Sequence, residues 1–262
     1  MNFPNEIKKL IGSHEIEPVT VGMSAADVWR CGELYIKRTP FDASPNPKYS
    51  PDSVKRGHMD ELKALIWLQG KLKVPELIEH VETPNEGWFV TRFLEGASLI
   101  DIEKDENTVL RVLAEGLEEM AAVDVTDCPL DGFGARSLEV ARENAMRMTG
   151  FPEDKEDWND FESPIVLWEW LKAHQPKIES PTLIHGDYCL PNVFCKDGHF
   201  SGVLDLGWCG VGDKWIDIAL AGRSLGYNRI GDQNLTPKLC KMAGLTPDED
   251  MLRYYILLDE LF

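Results

Sequence analysis

The sequence predicts an α+β protein with two lobes, a small β-rich N-terminal lobe and a larger helical C-terminal lobe. The first 95 residues contain short runs of β-branched and aromatic residues separated by turn residues, as in an antiparallel sheet. After Leu94-Glu95-Gly96, apolar residues recur at spacings of three and four, which is the helical pattern. A length of 262 residues fits one large domain or two small ones. We therefore expect lobes over residues 1–95 and 96–262.

The N-terminal lobe is expected to hold a meander of short strands and one helix. Residues 19–30 are predicted to form β-rich ends around a small-residue turn, and further strands are predicted over 34–37 and 88–93. Closely spaced prolines predict a loop over 40–58. A helix is predicted from Asp60, where leucine and isoleucine recur near a 3.6-residue period, and Val74-Pro75 is expected to end it.

The C-terminal lobe is expected to be mainly helical. Thr108 is the predicted N-cap of its first helix, because valine, leucine and methionine follow it on one helical face. Further helical stretches are predicted over 138–148, 164–173 and 251–262. The last of these is amphipathic and ends at Phe262.

The charge of the chain excludes some partners. The formal net charge is −18, from 27 basic and 45 acidic residues. Residues 1–95 hold 12 basic and 14 acidic residues, which leaves 15 and 31 for residues 96–262. Such an excess repels phosphate groups, so we expect neither nucleic acid nor a membrane surface as partner. The acidic second part either attracts a polycation or serves solubility alone.

Location in the cell can also be predicted. The sequence contains no apolar run of 18 residues, and its first 15 residues carry charges where a signal peptide has an apolar core. We therefore expect a cytoplasmic protein. The six cysteines form no C-x-x-C pair, which predicts reduced and mostly buried thiols.

The run over residues 183–206 contains the pattern most typical of a catalytic site. Asp187 follows His185-Gly186, Asn192 lies five residues further on, and Asp205 lies eighteen residues after Asp187. Asp197-Gly198 between them is a hairpin signal. Pairing of the strands on either side would bring Asn192 and Asp205 together.

These residue types suit phosphoryl transfer. The Asn192 amide and the Asp205 carboxylate are hard oxygen ligands suited to Mg²⁺, which also bridges nucleotide phosphates. Asp187 is then the group that orients an acceptor hydroxyl and takes its proton. The alternative is a turn in which these polar side chains are structural.

The motif resembles that of the aminoglycoside phosphotransferases, whose fold is similar to protein kinases. The resemblance rests on His185-Gly186-Asp187 with Asn192, on Asp205-Leu206-Gly207 and on the run 213–219. The ending Leu258-Asp259-Glu260-Leu261-Phe262 is similar to the 3′-phosphotransferase branch. The resemblance implies a two-lobed protein-kinase-like fold and ATP-dependent phosphorylation of kanamycin-type aminoglycosides at the 3′-hydroxyl, giving antibiotic resistance. It also implies that Asp217 braces the catalytic loop and that His185 is architectural.

Nucleotide-binding residues can be carried over from the same resemblance. Lys37 matches the lysine that contacts nucleotide phosphates, and Glu61 matches its ion-pair partner. Tyr35 matches the residue that stacks on the purine. The expected contacts with the phosphates and the adenine edge come from Met23, Ser24 and the backbone of Arg92, Phe93 and Leu94. The implied cofactors are ATP and Mg²⁺, with GTP left open as the donor.

A polycationic aminoglycoside is the implied acceptor. Residues 153–162 hold six acids against one base and match the substrate loop of the family. An exposed, solvated loop is the alternative for that run. The expected contacts with ammonium groups are Glu156, Asp157, Asp160, Asp259, Glu260 and the carboxylate of Phe262.

Other functions stay open at this level. A related kinase acting on choline, homoserine, fructosamine or a macrolide would keep the same motif with a different acceptor wall. A catalytically dead binding module is a third candidate. Such a module could lose any of Lys37, Asp187, Asn192 or Asp205, so the presence of all four argues against it. Trp208 stands where family members commonly carry arginine. Whether the chain dimerises is not predicted.

Overall fold

The computed structural model describes residues 3–19, 26–42, 50–102, 105–130, 132, 135–148, 160–231 and 234–262. Within these residues the chain forms an α+β fold with a β-sheet region followed by a helical region. This confirms the predicted fold class. Among the described residues, no helix combines the length and apolarity needed to cross a lipid bilayer. All six cysteines are free thiols, and four of them are buried, as expected.

The N-terminal lobe is built on a five-stranded antiparallel sheet in the order β1-β2-β3-β5-β4. Its strands and helices are β1 (Glu17–Val19), β2 (Asp27–Cys31), β3 (Leu34–Pro40), β4 (Leu77–Glu82), β5 (Glu86–Arg92), α1 (Asn5–Ile11) and α2 (Pro51–Leu68). Lys37 on β3 lies opposite Phe89 on β5. The strands β2, β3 and β5 were predicted in outline, whereas α1 and β4 were not.

Helix α2 begins at Pro51, so the predicted loop is wrong over 51–58 and the predicted start at Asp60 is wrong, while residues 43–49 of that loop lie outside the described residues. The Ser50 side chain accepts from the backbone N–H of Ser53, and the Ser53 hydroxyl accepts from the backbone N–H of Ser50. This reciprocal pair is a capping box. Proline at the first helical position loses no hydrogen bond there, because that N–H has no partner within a helix. Pro51 therefore begins helix α2, although proline in this stretch predicts a loop.

His58 fixes α2 against the sheet. Its ring stacks on Phe89 with centroids 4.0 Å apart and planes 11° apart. A ring nitrogen lies 3.2 Å from the Thr39 hydroxyl. A side chain at Gly87 would overlap the ring, so glycine leaves the space that His58 fills. Burial lowers the pKa of His58 to about 4, which keeps the ring neutral at pH 7. These contacts set the height of Glu61, one turn further along α2.

The C-terminal lobe contains six helices and two small sheets among the described residues. Its helices are α3 (Glu106–Ala121), α4 (Ala135–Arg147), α5 (Pro164–Ala173), α6 (Trp215–Tyr227), α7 (Thr236–Met242) and α8 (Glu249–Asp259). Its strands are β6 (Ala97–Ser98), β7 (Thr182–Ile184), β8 (Val193–Lys196), β9 (His199–Val203) and β10 (Gly210–Gly212). One sheet has the order β6-β8-β9, and β7 pairs with β10.

The helix starts in this lobe follow from their caps. Asp105, not the predicted Thr108, caps α3, because the Asp105 carboxylate accepts the backbone N–H of Thr108. The helix over 164–173 is confirmed, with Ser163 as N-cap and Pro164 at the first position. One continuous apolar core joins leucines of α2 to those of α3 and to the β8–β9 hairpin. Packing therefore ties the sheet lobe to the helical lobe.

A glycine on α3 makes room for the residue that follows Asp187. Tyr188 is fully buried and donates its hydroxyl to the Leu113 carbonyl at 3.0 Å. A side chain at Gly116 would lie 2.8 Å from Phe200 and would overlap the Tyr188 hydroxyl.

We expect Gly116→Ala to lower the free energy of unfolding by about 1–3 kcal/mol, the usual cost of overpacking a core. Gly57→Ala is the matched control, because Gly57 lies within α2 and a side chain there meets nothing within 4 Å. That control should raise stability by up to about 1 kcal/mol through helix propensity. Urea unfolding of both variants tests this. Equal stability of the wild type and Gly116→Ala would contradict the packing argument.

Candidate active site

The β8–β9 hairpin places the two predicted metal ligands at one end of the same ladder. Asp197 and Gly198 adopt φ angles of 54° and 78°, as a tight hairpin turn requires. Val193 pairs with Val203, and the Leu204 N–H donates to the Asn192 carbonyl at 2.9 Å. Asp205 follows directly, with a φ of 60° that aspartate tolerates better than most residues. The predicted hairpin is confirmed.

Asn192 also holds Asp187. Its side-chain nitrogen donates to the Asp187 carbonyl at 3.0 Å and to the Asp187 carboxylate at 2.9 Å. This donation leaves the amide oxygen to face another group. Asp187, Asn192 and Asp205 are thus brought to one end of the hairpin, as the sequence predicts.

Asp217 on α6 fixes the loop that carries Asp187. Its carboxylate accepts the backbone N–H groups of His185 and Gly186, both at 2.8 Å. Burial raises the pKa of Asp217 to about 7. The contact is the one expected of an acid that braces the loop.

His185 uses both ring nitrogens within the protein. Nε2 lies 2.7 Å from the Leu204 carbonyl, so it donates, and Nδ1 accepts the Asp187 N–H at 3.2 Å. Burial lowers the pKa of His185 to about 4. A neutral ring with both nitrogens bonded ties the loop to the hairpin and has no free nitrogen with which to act as a base.

The Asp187 carboxyl group has a pKa close to neutral pH. Burial raises its pKa to about 7, and the negative charges of Asp259 and Asp205 add to the effect. Hydrogen bonds from Cys189 and Asn192 oppose it. A carboxyl with a pKa near 7 is well matched to proton transfer at physiological pH.

Lys37 on β3 forms ion pairs with one residue of α2 and with one residue that follows the β8–β9 hairpin. Its Nζ lies 2.9 Å from Glu61 on α2 and 2.6 Å from Asp205 after the hairpin. Burial by itself would lower the pKa of Lys37, but the two carboxylates outweigh it and hold that pKa above its usual value. Lys37 in turn holds the pKa of Asp205 below its usual range. Burial raises the pKa of Glu61, and Lys37 opposes that rise.

The donor set fits magnesium better than a transition metal. Among the described residues, no group of three or more His, Cys, Asp or Glu side chains could hold a metal ion. Asn192 and Asp205 instead offer one amide and one carboxylate oxygen. Magnesium is typically held by one or two protein oxygens with waters and substrate phosphates completing the shell.

The predicted nucleotide contacts lie on the side of the sheet lobe. Tyr35, two residues before Lys37 on β3, stacks on Phe93 with ring centroids 5.6 Å apart. The backbone N–H groups of Arg92 and Phe93 donate to Glu76 and Glu33. Leu94 packs against Gly202 of the hairpin, so closely that a Cβ at position 202 would lie 2.9 Å from the Leu94 side chain. Met23 and Ser24 lie outside the described residues.

Most of the predicted acceptor residues that the structure describes lie at the end of the chain, and Asp160 pairs with the last helix. Asp259 and Glu260 both pair with Arg223 of α6, Glu260 at 2.8 Å. Asp160 pairs with Arg253 on α8 at 2.6 Å. The Phe262 ring packs edge-on against Trp208, with centroids 4.8 Å apart. The remaining two predicted contacts, Glu156 and Asp157, lie outside the described residues.

Sequence reasoning missed Arg223. It lies on α6, more than 30 positions before the acids that it holds, and no local pattern signals such a pairing. One guanidinium faces two carboxylates there, and the terminal carboxylate follows two residues later. The negative charge of Asp259 acts on Asp187 from this end of the chain.

Comparison with known proteins gives consistent matches along the chain. Residues 15–251 match the phosphotransferase enzyme family. An aminoglycoside 3′-phosphotransferase of Staphylococcus aureus is 32% identical, covering 100% of this chain and 99% of that protein. Another from Enterococcus faecalis is 33% identical over the same shares of the two chains.

Solved structures show the same fold. Aminoglycoside phosphotransferase APH(3′′)-Id from Streptomyces rimosus superposes with a TM-score of 0.80 at 22% identity, covering 97% of this chain and 95% of that one. An aminoglycoside-3′-phosphotransferase of type VIII gives a TM-score of 0.79 at 22% identity, covering 98% and 97%. The first of these proteins has also been solved in complex with ADP and streptomycin.

The partly buried Asp187 carboxyl predicts a pH-dependent stability. The unfolded chain loses this proton near the ordinary value of 3.8, whereas the folded protein keeps it up to about pH 7. Folding therefore becomes less favourable as pH rises between these values. Asp187→Asn removes the charge, so it should exceed the wild type in unfolding free energy at pH 5, where the unfolded wild type is already ionised, and by about 1 kcal/mol or more further at pH 8.

Urea unfolding in metal-free buffer at both pH values measures this difference. Glu179→Gln, a change at an exposed acid, is the control and should follow the wild type at both pH values. A difference between Asp187→Asn and wild type that is the same at pH 5 and pH 8 would contradict the assignment.

Proposed function

Since the chain belongs to the phosphotransferase enzyme family, we propose that it transfers the γ-phosphoryl group of ATP to the 3′-hydroxyl of kanamycin-type aminoglycosides and so confers resistance to them. The observation that carries the proposal is the meeting of Lys37, Asp205, Asn192 and Asp187 at the end of one hairpin. A lysine, two metal-suited oxygens and a carboxyl of raised pKa are the parts that phosphoryl transfer needs.

Lys37 would neutralise the nucleotide phosphates, and Glu61 fixes the direction in which the lysine points. Tyr35 and Phe93 offer stacked rings to the base. Met23 and Ser24 would add contacts to the phosphates, and the backbone of Arg92 and Leu94 would meet the adenine edge. GTP carries the same triphosphate, so the phosphate contacts alone do not separate the two donors.

Asn192 and Asp205 would hold magnesium through their amide and carboxylate oxygens. When bound, magnesium neutralises charge on the nucleotide phosphates and orients them. Asp205 is prepared for this role because Lys37 keeps its carboxylate ionised.

Asp187 would orient the acceptor hydroxyl and take up its proton. The transition state of phosphoryl transfer is loose, so most of the acceleration comes from positioning and charge neutralisation. Asn192 and the Asp217-braced loop supply that positioning by fixing the carboxyl of Asp187.

The acidic end of the chain would capture the ammonium groups of the acceptor. Two unit charges 4 Å apart attract by about 1 kcal/mol in water and about 4 kcal/mol at an effective dielectric of 20. Several partly screened pairs therefore suffice for tight binding, and salt should weaken it. The residues proposed for this wall are Glu156, Asp157, Asp160, Asp259, Glu260 and the Phe262 carboxylate.

We also propose a cytoplasmic location, which the proposed donor and the free cysteines support, because ATP is available there and thiols stay reduced. The net charge of −18 favours a polycationic small molecule over nucleic acid as the partner.

Product analysis with matched acceptors tests the proposal. The protein with Mg²⁺ and ATP should consume ATP when kanamycin B is added, and phosphorus and proton NMR should place the phosphate on the 3′-oxygen. Tobramycin, which is kanamycin B without the 3′-hydroxyl, should give no turnover. Turnover with tobramycin would overturn the regiochemistry, and turnover with choline in place of either antibiotic would overturn the acceptor.

The two acids of the site should separate binding from chemistry. Asp187→Asn is expected to lower kcat by about 10²- to 10⁴-fold, the usual loss for a general base, with nucleotide affinity unchanged. Asp205→Ala is expected to abolish magnesium-dependent nucleotide binding. Steady-state kinetics and calorimetric titration with ADP and Mg²⁺ measure both effects.

Asp197→Asn is the matched control for Asp187→Asn, because it makes the same chemical change in the exposed turn of the β8–β9 hairpin. It should leave both rate and binding unchanged. Full activity of Asp187→Asn would remove Asp187 from the proposed role.

A further inference from the structure

We propose that Asn144 is a positioning residue for the acceptor, acting through the last two residues of the chain. Asn144 lies on α4 and is 2% exposed. Its side-chain nitrogen donates to the backbone carbonyl of Leu261 at 2.7 Å, across 117 positions of sequence. The proposal rests on the proposed function, since it assigns Asn144 the task of fixing the terminal carboxylate as one anion of the acceptor wall.

Several contacts hold the residues after α8, among them the Leu261 N–H, which donates to the Leu258 carbonyl at 3.1 Å. Helix α8 ends at Asp259, and the helix itself is held in the core by Tyr254, Tyr255, Leu257 and Leu258. Leu261 and Phe262 lie beyond it, where the last residues of a chain fray unless they are tied down. The Asn144 bond ties the carbonyl that immediately precedes the terminal residue.

The terminal residue is also held against the catalytic loop. The Phe262 ring packs edge-on against Trp208, and its N–H donates to the Asp259 carbonyl at 2.8 Å. Trp208 packs closely against Gly186, since a Cβ at position 186 would lie 2.7 Å from the Trp208 Cβ. Gly186 precedes Asp187, so a continuous series of contacts runs from Asn144 through the chain end to the loop of Asp187.

This arrangement accounts for a buried amide in an otherwise apolar cluster. Leu261 belongs to a buried apolar cluster that also contains Val140, Ala141 and Ala145 of α4 and Leu167 and Leu171 of α5. A hydrogen-bond donor serves to fix one backbone carbonyl, and thereby the direction in which the chain end leaves it. A carboxylate held in place before binding does not have to be ordered when an ammonium group arrives, which strengthens binding.

Substitution of the donor tests the proposal. Asn144→Leu keeps the approximate size and removes the donor, and Asn144→Ala is a second variant that removes it without added bulk. We expect both to raise the acceptor KM by about 3- to 10-fold, the range of a lost neutral hydrogen bond, with kcat and the KM for ATP within twofold of wild type. Val140→Ala is the matched control, because it loosens the same buried cluster without touching the Leu261 carbonyl, and its acceptor KM should stay at the wild-type value.

A double substitution separates positioning from general loosening. Ligation of a synthetic C-terminal peptide can replace the Phe262 carboxylate by an amide, which removes the charge and keeps the shape. This protein should show a raised acceptor KM, and adding Asn144→Leu should raise it no further, because both changes act through the same anion.

Three outcomes would overturn the inference: an unchanged acceptor KM in both Asn144 variants, an equal rise in Val140→Ala, or a further rise when Asn144→Leu is added to the amidated chain. Each of these leaves the proposed function standing, since it presupposes turnover of kanamycin by the wild type. Absence of that turnover would instead overturn the proposed function, and the inference with it.

Discussion

The fold depends on one ammonium group shared by two carboxylates from different elements. Lys37 arrives from the sheet, Glu61 from α2 and Asp205 from the end of the hairpin in the helical lobe. Without the lysine, the two acids would face each other in a partly buried cleft, where like charges repel strongly. This cation therefore links the two lobes, and it keeps the Asp205 carboxylate ionised.

The loop that carries Asp187 is fixed by a different kind of interaction. Asp217 accepts two backbone N–H groups, and the neutral His185 ring bridges the loop and the hairpin. These bonds involve backbone atoms, so they set the path of the chain whatever side chains it carries. The position of Asp187 therefore does not depend on an ion pair of its own, and its pKa stays raised. The site combines a rigid loop with a carboxyl group that is free to change its protonation state.

Local patterns predicted the parts of this molecule whose causes are local. Asp197-Gly198 predicted the hairpin, and Pro164 with its apolar period predicted α5, because turn and helix chemistry act over a few residues. The start of α2 was misjudged, since Pro51 suits a first helical turn as well as a loop. Arg223 and Asn144 could not be found at all. Their partners lie 36 and 117 positions away, and only the folded chain brings them together.

The His58 contacts described for α2 bear on how the protein could be controlled. Many kinases are switched off by swinging the helix that carries the glutamate away from the lysine. Here the imidazole fills the notch left by Gly87 and lies flat on Phe89, so an outward swing would open a void and strip the ring of its stacking partner. The Lys37–Glu61 ion pair is consequently assembled as the chain folds.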